Sequence, residues 1–301
     1  MKHLLSIQSL SAEEILEILA LSKTLKARRG SSDQPLPLKG QCWGLIFSKS
    51  STRTRVSFEV GVRELGGDAL FLSANDIQLG RGEPIKDTAR VMGRMLDGAI
   101  IRTFAQQDVD DFARYSNIPT INALTDEEHP CQIIADLLTI QELLGTFEGK
   151  TVAFIGDGAC NVPTSWIWAA ERLNFNLRIA APKAFQPAET LLRQLQCGRV
   201  SVTSDTCEAA NGADVLYTDV WVSMGAETEA KFRIAQLGGY QINEELVKLA
   251  APGALVMHCL PAYRGKEITE EVFEANADTI FQQAENRLHA QKAILTWMLQ
   301  Q

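Results

Sequence analysis

The chain has 301 residues, and 29 lysines and arginines against 37 aspartates and glutamates leave a formal charge of −8. That balance argues against a general nucleic-acid binder, which needs a spread of surplus cations to displace counterions. With 46% apolar residues the chain can bury large cores, and its length exceeds what one core serves, so two domains are expected. Six cysteines lie scattered without a CxxC pair, Met1-Lys2-His3-Leu4 opens no long apolar region, and no stretch approaches the roughly 18 apolar residues of a membrane span. A soluble protein of the reducing cytoplasm, without membrane or nucleic-acid partners, is the expectation.

The first predicted element is a helix over about 11 to 29. Ser11 and Glu14 form a capping box, and Ile15, Leu16, Ile18, Leu19 and Leu21 follow at helical spacing until Gly30. Beyond the proline-bearing Ser31 to Pro37, the apolar run Cys42 to Phe47 reads as a strand and Thr52 to Leu65 as a helix ending at Gly66-Gly67. Strands at Asp68 to Leu72, Gly98 to Arg102 and Thr120 to Ala123 then alternate with helices at Ile85 to Met95, Asp108 to Tyr115 and Cys131 to Leu144. A second series places strands at Thr151 to Ile155, Leu177 to Ala180, Val200 to Thr203, Val215 to Thr218, Leu255 to His258 and Thr279 to Phe281, with helical stretches between. The fold class is therefore α/β: two doubly wound parallel-sheet domains with helices on both faces, joined near Leu144 to Lys150. The last apolar-periodic stretch, Ala284 to Leu299, has no strand after it.

Open α/β sheets bind ligands beyond the carboxyl ends of their strands, so residues just after each strand come first. After the first strand, Ser48-Lys49-Ser50-Ser51-Thr52-Arg53-Thr54-Arg55 opens a helix. Its N-terminal N–H groups, the hydroxyls of Ser51, Thr52 and Thr54, and the Arg53 guanidinium make a phosphate cradle. The bland alternative is a capped helix with a solvated basic turn, but two arginines there oppose the helix dipole unless an anion offsets them. The third strand ends in Arg102-Thr103, and His129-Pro130-Cys131-Gln132 follows the fourth. Together an arginine, an imidazole and an amide at one sheet edge suit the polarising of a carbonyl, although each alone reads as an ion pair or a helix cap.

In the second series Asp219, followed by Ser223-Met224-Gly225, can hold a ligand ammonium, and His258-Cys259-Leu260-Pro261 follows the next strand. Cys259 could be a nucleophile, an orienting group or a metal ligand. Because strand neighbours point to opposite faces, His258 is poorly placed to activate Cys259. A zinc set of His129, Cys131, His258 and Cys259 fits no usual structural-zinc spacing. An orienting role ranks above both. Two signals are decoys: Gly156-Asp157-Gly158 has Asn161 where a dinucleotide fingerprint needs its third glycine, which disfavours a nicotinamide enzyme. Gly145 to Thr151 imitates a nucleotide loop but precedes a strand, and reads better as the turn between domains.

These motifs, in register along essentially the whole chain, resemble the aspartate/ornithine carbamoyltransferase family. Ser51-Thr52-Arg53-Thr54-Arg55 matches its shared carbamoyl-phosphate motif, while His129-Pro130-Cys131-Gln132, Asp219 with Ser223-Met224-Gly225, and His258-Cys259-Leu260-Pro261 match the ornithine branch, and Glu285-Asn286-Arg287 ends the match. The resemblance implies a carbamoyl-phosphate domain over 1–145, joined by the C-terminal helix 285–301, and an ornithine domain over 146–284. It implies carbamoyl transfer from carbamoyl phosphate to the δ-amine of L-ornithine by direct attack, giving L-citrulline and phosphate, with no metal or cofactor. By similarity Ser51, Thr52, Arg53, Thr54 and Arg102 hold phosphate, and Thr54, Arg102 and His129 surround the carbonyl oxygen. Gln132, the backbone around Cys259 and Leu260, and Arg287 complete that site. Asn161, Asp219, Ser223 and Met224 hold the backbone end of ornithine, and Gln78 reaches a neighbouring subunit's site. The catalytic set is Arg102, His129, Cys259 and Asp219, in a homotrimer or multiple of trimers of cytoplasmic arginine biosynthesis. Pro163 departs from the small residue expected there, which puts the shape of the Asn161 loop in question. Acetylornithine, succinylornithine or putrescine is the alternative acceptor, disfavoured by the intact Ser223-Met224-Gly225 loop. A non-catalytic relative would lack one of the chemical residues.

Overall fold

The structure is a computed structural model that describes residues 1–73, 82–223, 225 and 227–300. It divides into two compact units, Met1–Leu138 with Glu285–Gln301, and Thr139–Ala284. In chain order the first unit holds α1 (Ala12–Ala27), β1 (Cys42–Phe47), α2 (Thr52–Glu64), β2 (Asp68–Ser73), α3 (Ile85–Met92), β3 (Gly98–Arg102), α4 (Gln106–Ser116) and β4 (Thr120–Leu124). The division after Leu138 falls inside α5 (Pro130–Leu144), so the turn Gly145 to Lys150 lies within the second unit. That unit continues with β5 (Thr151–Ile155), α6 (Asn161–Arg172), β6 (Asn176–Ala180), α7 (Glu189–Leu192), β7 (Val200–Thr203), α8 (Thr206–Ala210) and β8 (Val215–Thr218). Then come α9 (Ala230–Leu237), α10 (Glu244–Leu249), β9 (Leu255–His258), α11 (Glu270–Ala275) and α12 (Ala277–Met298), inside which the second division falls.

Among the described residues the first unit carries a four-stranded parallel sheet in the order β2-β1-β3-β4. Its central strands are continuous apolar runs, as strands covered on both faces must be. Gly98 is required by packing, because a Cβ there would meet the Trp43 ring at 2.5 Å. The chain leaves β1 to build β2 on one side and β3 on the other, so the switch point lies between β1 and β3. Phe47, the last residue of β1, registers with Arg102, the last of β3, and Ser48 N–H donates to the Arg102 carbonyl at 2.8 Å. The sheet thereby sets the Ser51 loop beside Arg102.

The second unit carries a five-stranded parallel sheet in the order β7-β6-β5-β8-β9, with its switch point between β5 and β8. The loops holding Asp157 and Asp219 leave the sheet there. Stacking of Phe154 on Tyr217, 5.8 Å between ring centroids, ties the two central strands. The α/β class with two doubly wound sheets is thus the observed one. One expected strand is not: Thr279 to Phe281 lies within α12, where Ile280 N–H donates to the Asn276 carbonyl at 3.1 Å. Ile280 and Gln283 share the buried side while Phe281 is 56% exposed, a helical spacing that outweighs the local β preference of the short apolar run. No helix among the described residues is long and apolar enough to cross a membrane.

Candidate active site

The first unit builds a buried cluster of cations on neutral acceptors. Ser51 caps α2 by accepting from Thr54 N–H at 3.1 Å, and no acidic residue sits in the helix's first turn. Thr54 is buried, and its hydroxyl oxygen accepts from Arg102 Nη1 at 3.5 Å and from Arg287 Nη2 at 3.1 Å. Arg287 also donates to Gln132 Oε1 at 2.6 Å, and Gln132 donates in turn to Asp136 Oδ1 at 2.7 Å. Burial, with Arg287 and Arg53 adding repulsion, pulls the Arg102 guanidinium down to about 10. Its Nε is buried without a hydrogen-bond partner. Neither Arg53 nor Arg102 forms an ion pair among the described residues. His129 is held well below the ordinary imidazole value by burial, then by Arg287 and Arg102, so it stands deprotonated at neutral pH. Arg53 and Arg102 thus carry charge with no ion-pair partner among the described residues, which a multiply charged anion would offset.

The second unit builds a cluster of acids, in which Asp157 and Glu267 are buried and Asp219 is half-buried. Burial raises the Asp219 carboxyl above the usual carboxylate range, partly offset by His258 and by a hydrogen bond with the Cys259 thiol, while Val220 N–H donates to its Oδ1 at 2.7 Å. His258 Nδ1 accepts from Leu260 N–H at 2.8 Å, which leaves the ring proton on Nε2, facing Glu267 Oε1 at 3.3 Å. Glu267 also accepts from Tyr263 N–H. Asn161 is the first residue of α6, and Asp157 in the loop before it accepts from Ala159 N–H at 3.0 Å and from Arg233 Nη1 at 2.7 Å. Trp221, Val222, Ile234, Tyr263, Lys266 and Glu267 line a cleft in this unit.

Residues 2–142 match the family model described as the aspartate/ornithine carbamoyltransferase carbamoyl-P binding domain, and residues 148–298 match the Asp/Orn binding domain of the same family. The chain belongs to the aspartate/ornithine carbamoyltransferase family. It is 60% identical over 297 residues to an ornithine carbamoyltransferase of Akkermansia muciniphila, covering 98% of this chain and 97% of that one. It is 48% identical to one of Campylobacter fetus, covering 99% and 98%. Among solved structures, the ornithine carbamoyltransferase from Pyrococcus furiosus superposes with a TM-score of 0.93 at 43% identity, covering 99% and 97%. The anabolic enzyme from Campylobacter jejuni gives 0.92 at 42% identity, covering 99% of each chain.

Against the motifs of this aspartate/ornithine carbamoyltransferase chain, the structure gathers Thr54, Arg102, His129, Gln132 and Arg287 in the first unit and Asp219 with Cys259 in the second. Gln78 and Met224 lie outside the described residues. Arg55, the second arginine whose charge at the helix start was expected to need an anion, is met by Glu59 at 2.8 Å and lies 3.6 Å from the Phe71 ring centroid. The opposite-faces argument about His258 and Cys259 does not hold. His258 ends β9 and Leu260 takes φ 57°, so the strand alternation stops and ligand atoms of Asp219, His258 and Cys259 lie within 4.8 Å of one another. Asp219 is hydrogen-bonded with the Cys259 thiol and both His258 ring nitrogens are engaged by Leu260 N–H and Glu267, while Cys131, from the imagined zinc set, is a buried thiol pushed up to about 12 that donates to the Asn122 carbonyl. Pro163 is accommodated in the first turn of α6, where a missing N–H removes no intrahelical bond. Sequence reasoning missed Asp136 and Glu267. Glu267 lies eight residues past Cys259 with no motif to mark it, and Asp136 is visible only as the residue one turn beyond Gln132.

Proposed function

We propose that the chain transfers the carbamoyl group of carbamoyl phosphate to the δ-amine of L-ornithine, giving L-citrulline and phosphate. The observation that carries this is the buried group of Arg102, Arg287 and His129 around Thr54 and Gln132, in which Arg102 has no ion-pair partner among the described residues. It suits a phosphate joined to a small polar carbonyl, and the full-length likeness to ornithine carbamoyltransferases supports the choice. In this reading residues 1–145 with 285–301 form the carbamoyl-phosphate domain and 146–284 the ornithine domain. Ser51, Thr52, Arg53, Thr54 and Arg102 hold the phosphate, and Thr54, Arg102 and His129 face the carbonyl oxygen. Gln132, Arg287 and the backbone of Cys259 and Leu260 complete that set. Asn161, Asp219, Ser223 and Met224 hold the amino-acid end of ornithine.

The amine nitrogen attacks the carbonyl carbon, negative charge grows on the carbonyl oxygen, and the carbon–oxygen bond to phosphate then breaks, the departing phosphate taking up the proton that the amine loses. Fixed cations and donors lower that barrier without a covalent enzyme intermediate. A deprotonated His129 donates or accepts a hydrogen bond there without adding a further charge. The nucleophile must be the neutral amine, about one part in a thousand at neutral pH if it titrates like lysine. Asp219, a half-buried carboxylate, is the counter-ion for the α-ammonium. Acetylornithine and succinylornithine lack that ammonium, so the same carboxylate works against them.

The assembly belongs to the proposal as well: a homotrimer or multiple of trimers of cytoplasmic arginine biosynthesis, with Gln78 reaching a neighbour's site. Edge strand β2 supports it, since it stands at the end of the sheet order and Leu70 is 47% exposed. A citrulline assay comparing ornithine, acetylornithine, succinylornithine, putrescine and aspartate tests the reaction. Ornithine is expected to be used far better than the rest, and equal turnover of any other acceptor overturns the assignment. Sedimentation as a monomer overturns the assembly.

A further inference from the structure

The N-terminal residues of the first unit extend its sheet edge before they reach α1. Leu4 pairs with Ile121, its N–H donating to the Thr120 carbonyl at 3.0 Å and its carbonyl accepting from Asn122 N–H at 2.7 Å. The Leu5 carbonyl accepts from the side chains of Asn122 at 2.9 Å and Gln106 at 3.1 Å. Two residues on, Ile7 N–H donates to Glu128 Oε2 at 2.8 Å and Gln8 N–H to Glu128 Oε1 at 3.5 Å. Glu128 is 4% exposed, and a buried carboxylate is costly unless such donors meet it. It closes the turn after β4: Thr125 N–H donates to the Glu128 carbonyl at 2.9 Å, and Glu128 N–H donates to the Thr125 hydroxyl oxygen at 3.2 Å. The next residue is His129, whose carbonyl accepts from Gln132 N–H as α5 begins.

We infer that Glu128 is a positioning residue for His129, fixing the imidazole through the tie between the 125–128 turn and the N-terminal segment. The inference rests on the role proposed above for His129. It rests also on the geometry of this tie, the bonds from Ile7 and Gln8 N–H to the Glu128 carboxylate one residue before His129. Without the tie the turn loses the two main-chain donors that anchor it, and the ring leaves its place over the reacting carbonyl. Displacements on the order of 1 Å are enough to slow such a step by up to a hundredfold.

The test is a double-mutant cycle on the full-length protein, with kcat and both KM values measured for wild type, Glu128→Ala, His129→Gln and the double variant. Glu128→Ala is expected to lower kcat by about tenfold to a hundredfold, leave the KM for ornithine unchanged, and cause no further loss in the His129→Gln background. Glu128→Gln is expected to retain most of kcat, since its amide oxygen still accepts from Ile7 N–H. Equal losses in both backgrounds, or a Glu128→Gln variant as poor as Glu128→Ala, overturn the inference. Wild-type kcat in Glu128→Ala beside a crippled His129→Gln strikes this inference alone. Wild-type kcat in His129→Gln removes the role of His129 and this inference with it. Should Glu128→Ala fail to fold, Glu128→Asp, whose carboxylate is drawn back by one methylene, goes through the same cycle under the same criteria.

Discussion

The polar groups of the two units are balanced in opposite ways. In the first, Arg102 and Arg287 lean on the neutral oxygens of Thr54 and Gln132, and the nearby Asp136 takes its bond from Gln132. In the second, the carboxylates of Asp219 and Glu267 are met by a thiol, an imidazole and main-chain N–H groups. In the first cluster Arg102 has no ion-pair partner among the described residues, and in the second Asp219 already takes a hydrogen bond from the Cys259 thiol. An anion entering the first meets Arg102, whose Nε has no hydrogen-bond partner, whereas an ammonium reaching Asp219 must compete with the Cys259 thiol. The first is expected to gain stability from its ligand, and the second to express its role as selectivity.

The largest effect should follow from removing a cation of the first cluster. Arg102→Met is expected to cut kcat by about a hundredfold to a thousandfold, the scale of losing one donor to a developing oxyanion. Because Arg102 has no carboxylate partner to abandon, the ligand-free protein should melt no lower than wild type. Carbamoyl phosphate should raise the melting temperature of wild type and not of the variant. A clear loss of ligand-free stability in Arg102→Met would erase the contrast, showing the arginine to be held as firmly as an ordinary ion pair.

Next in size is Asp219→Asn. Leaving an ammonium without its carboxylate partner costs about 3 kcal/mol, so the KM for ornithine should rise about a hundredfold while that for carbamoyl phosphate stays put. Equal changes in both KM values would mean that the acidic cluster does not discriminate.

The two clusters should also answer pH with opposite signs. His129 is depressed from 6.5, so between that value and its folded value the unfolded chain binds a proton that the native state refuses. Stability therefore falls as pH falls through that window. Asp219 is raised from 3.8, so above that value the unfolded carboxyl ionises first, and stability falls as pH rises toward the folded value. Denaturant melts across this range should show the acid-side loss flattened in His129→Gln and the alkaline-going loss flattened in Asp219→Asn. The reverse assignment would contradict both burial arguments.

How much of this was legible in the sequence depended on whether the signal was local. Strands buried on both faces betray themselves as short apolar runs such as Cys42 to Phe47 and Thr151 to Ile155. Chemistry-bearing residues just past such runs, Thr54, Arg102 and Asp219 among them, could be picked out because parallel sheets present their ligands there. Thr279 to Phe281 misled because three β-prone residues say nothing of the helix they sit in. The Asp219, His258 and Cys259 grouping was missed for a related reason: strand alternation was carried one residue past the end of β9, where Leu260 bends the chain. Glu267 and Asp136 carry no motif at all, since their importance lies in which buried donor the folded chain brings to them.

The smallest predicted effect concerns the loop that carries Asn161. Pro163 differs from the small residue expected at that place, which made a reshaped loop a natural reading, but it is the third residue of α6. The first N–H groups of a helix have no intrahelical acceptor, so proline gives up nothing there and its fixed φ suits the turn. Proline also restricts the unfolded chain. Pro163→Ala should therefore lower stability by no more than about 1 kcal/mol and leave the KM for ornithine unchanged. The comparison is sharpened by setting this beside Asp157→Asn, which weakens the bond from Arg233 on α9 to the loop just before Asn161. If the loop is held from the acidic side rather than by Pro163, Asp157→Asn should raise the KM for ornithine severalfold where Pro163→Ala does not. A Pro163→Ala enzyme with a strongly raised KM would show that the proline itself shapes the amino-acid end of the second unit.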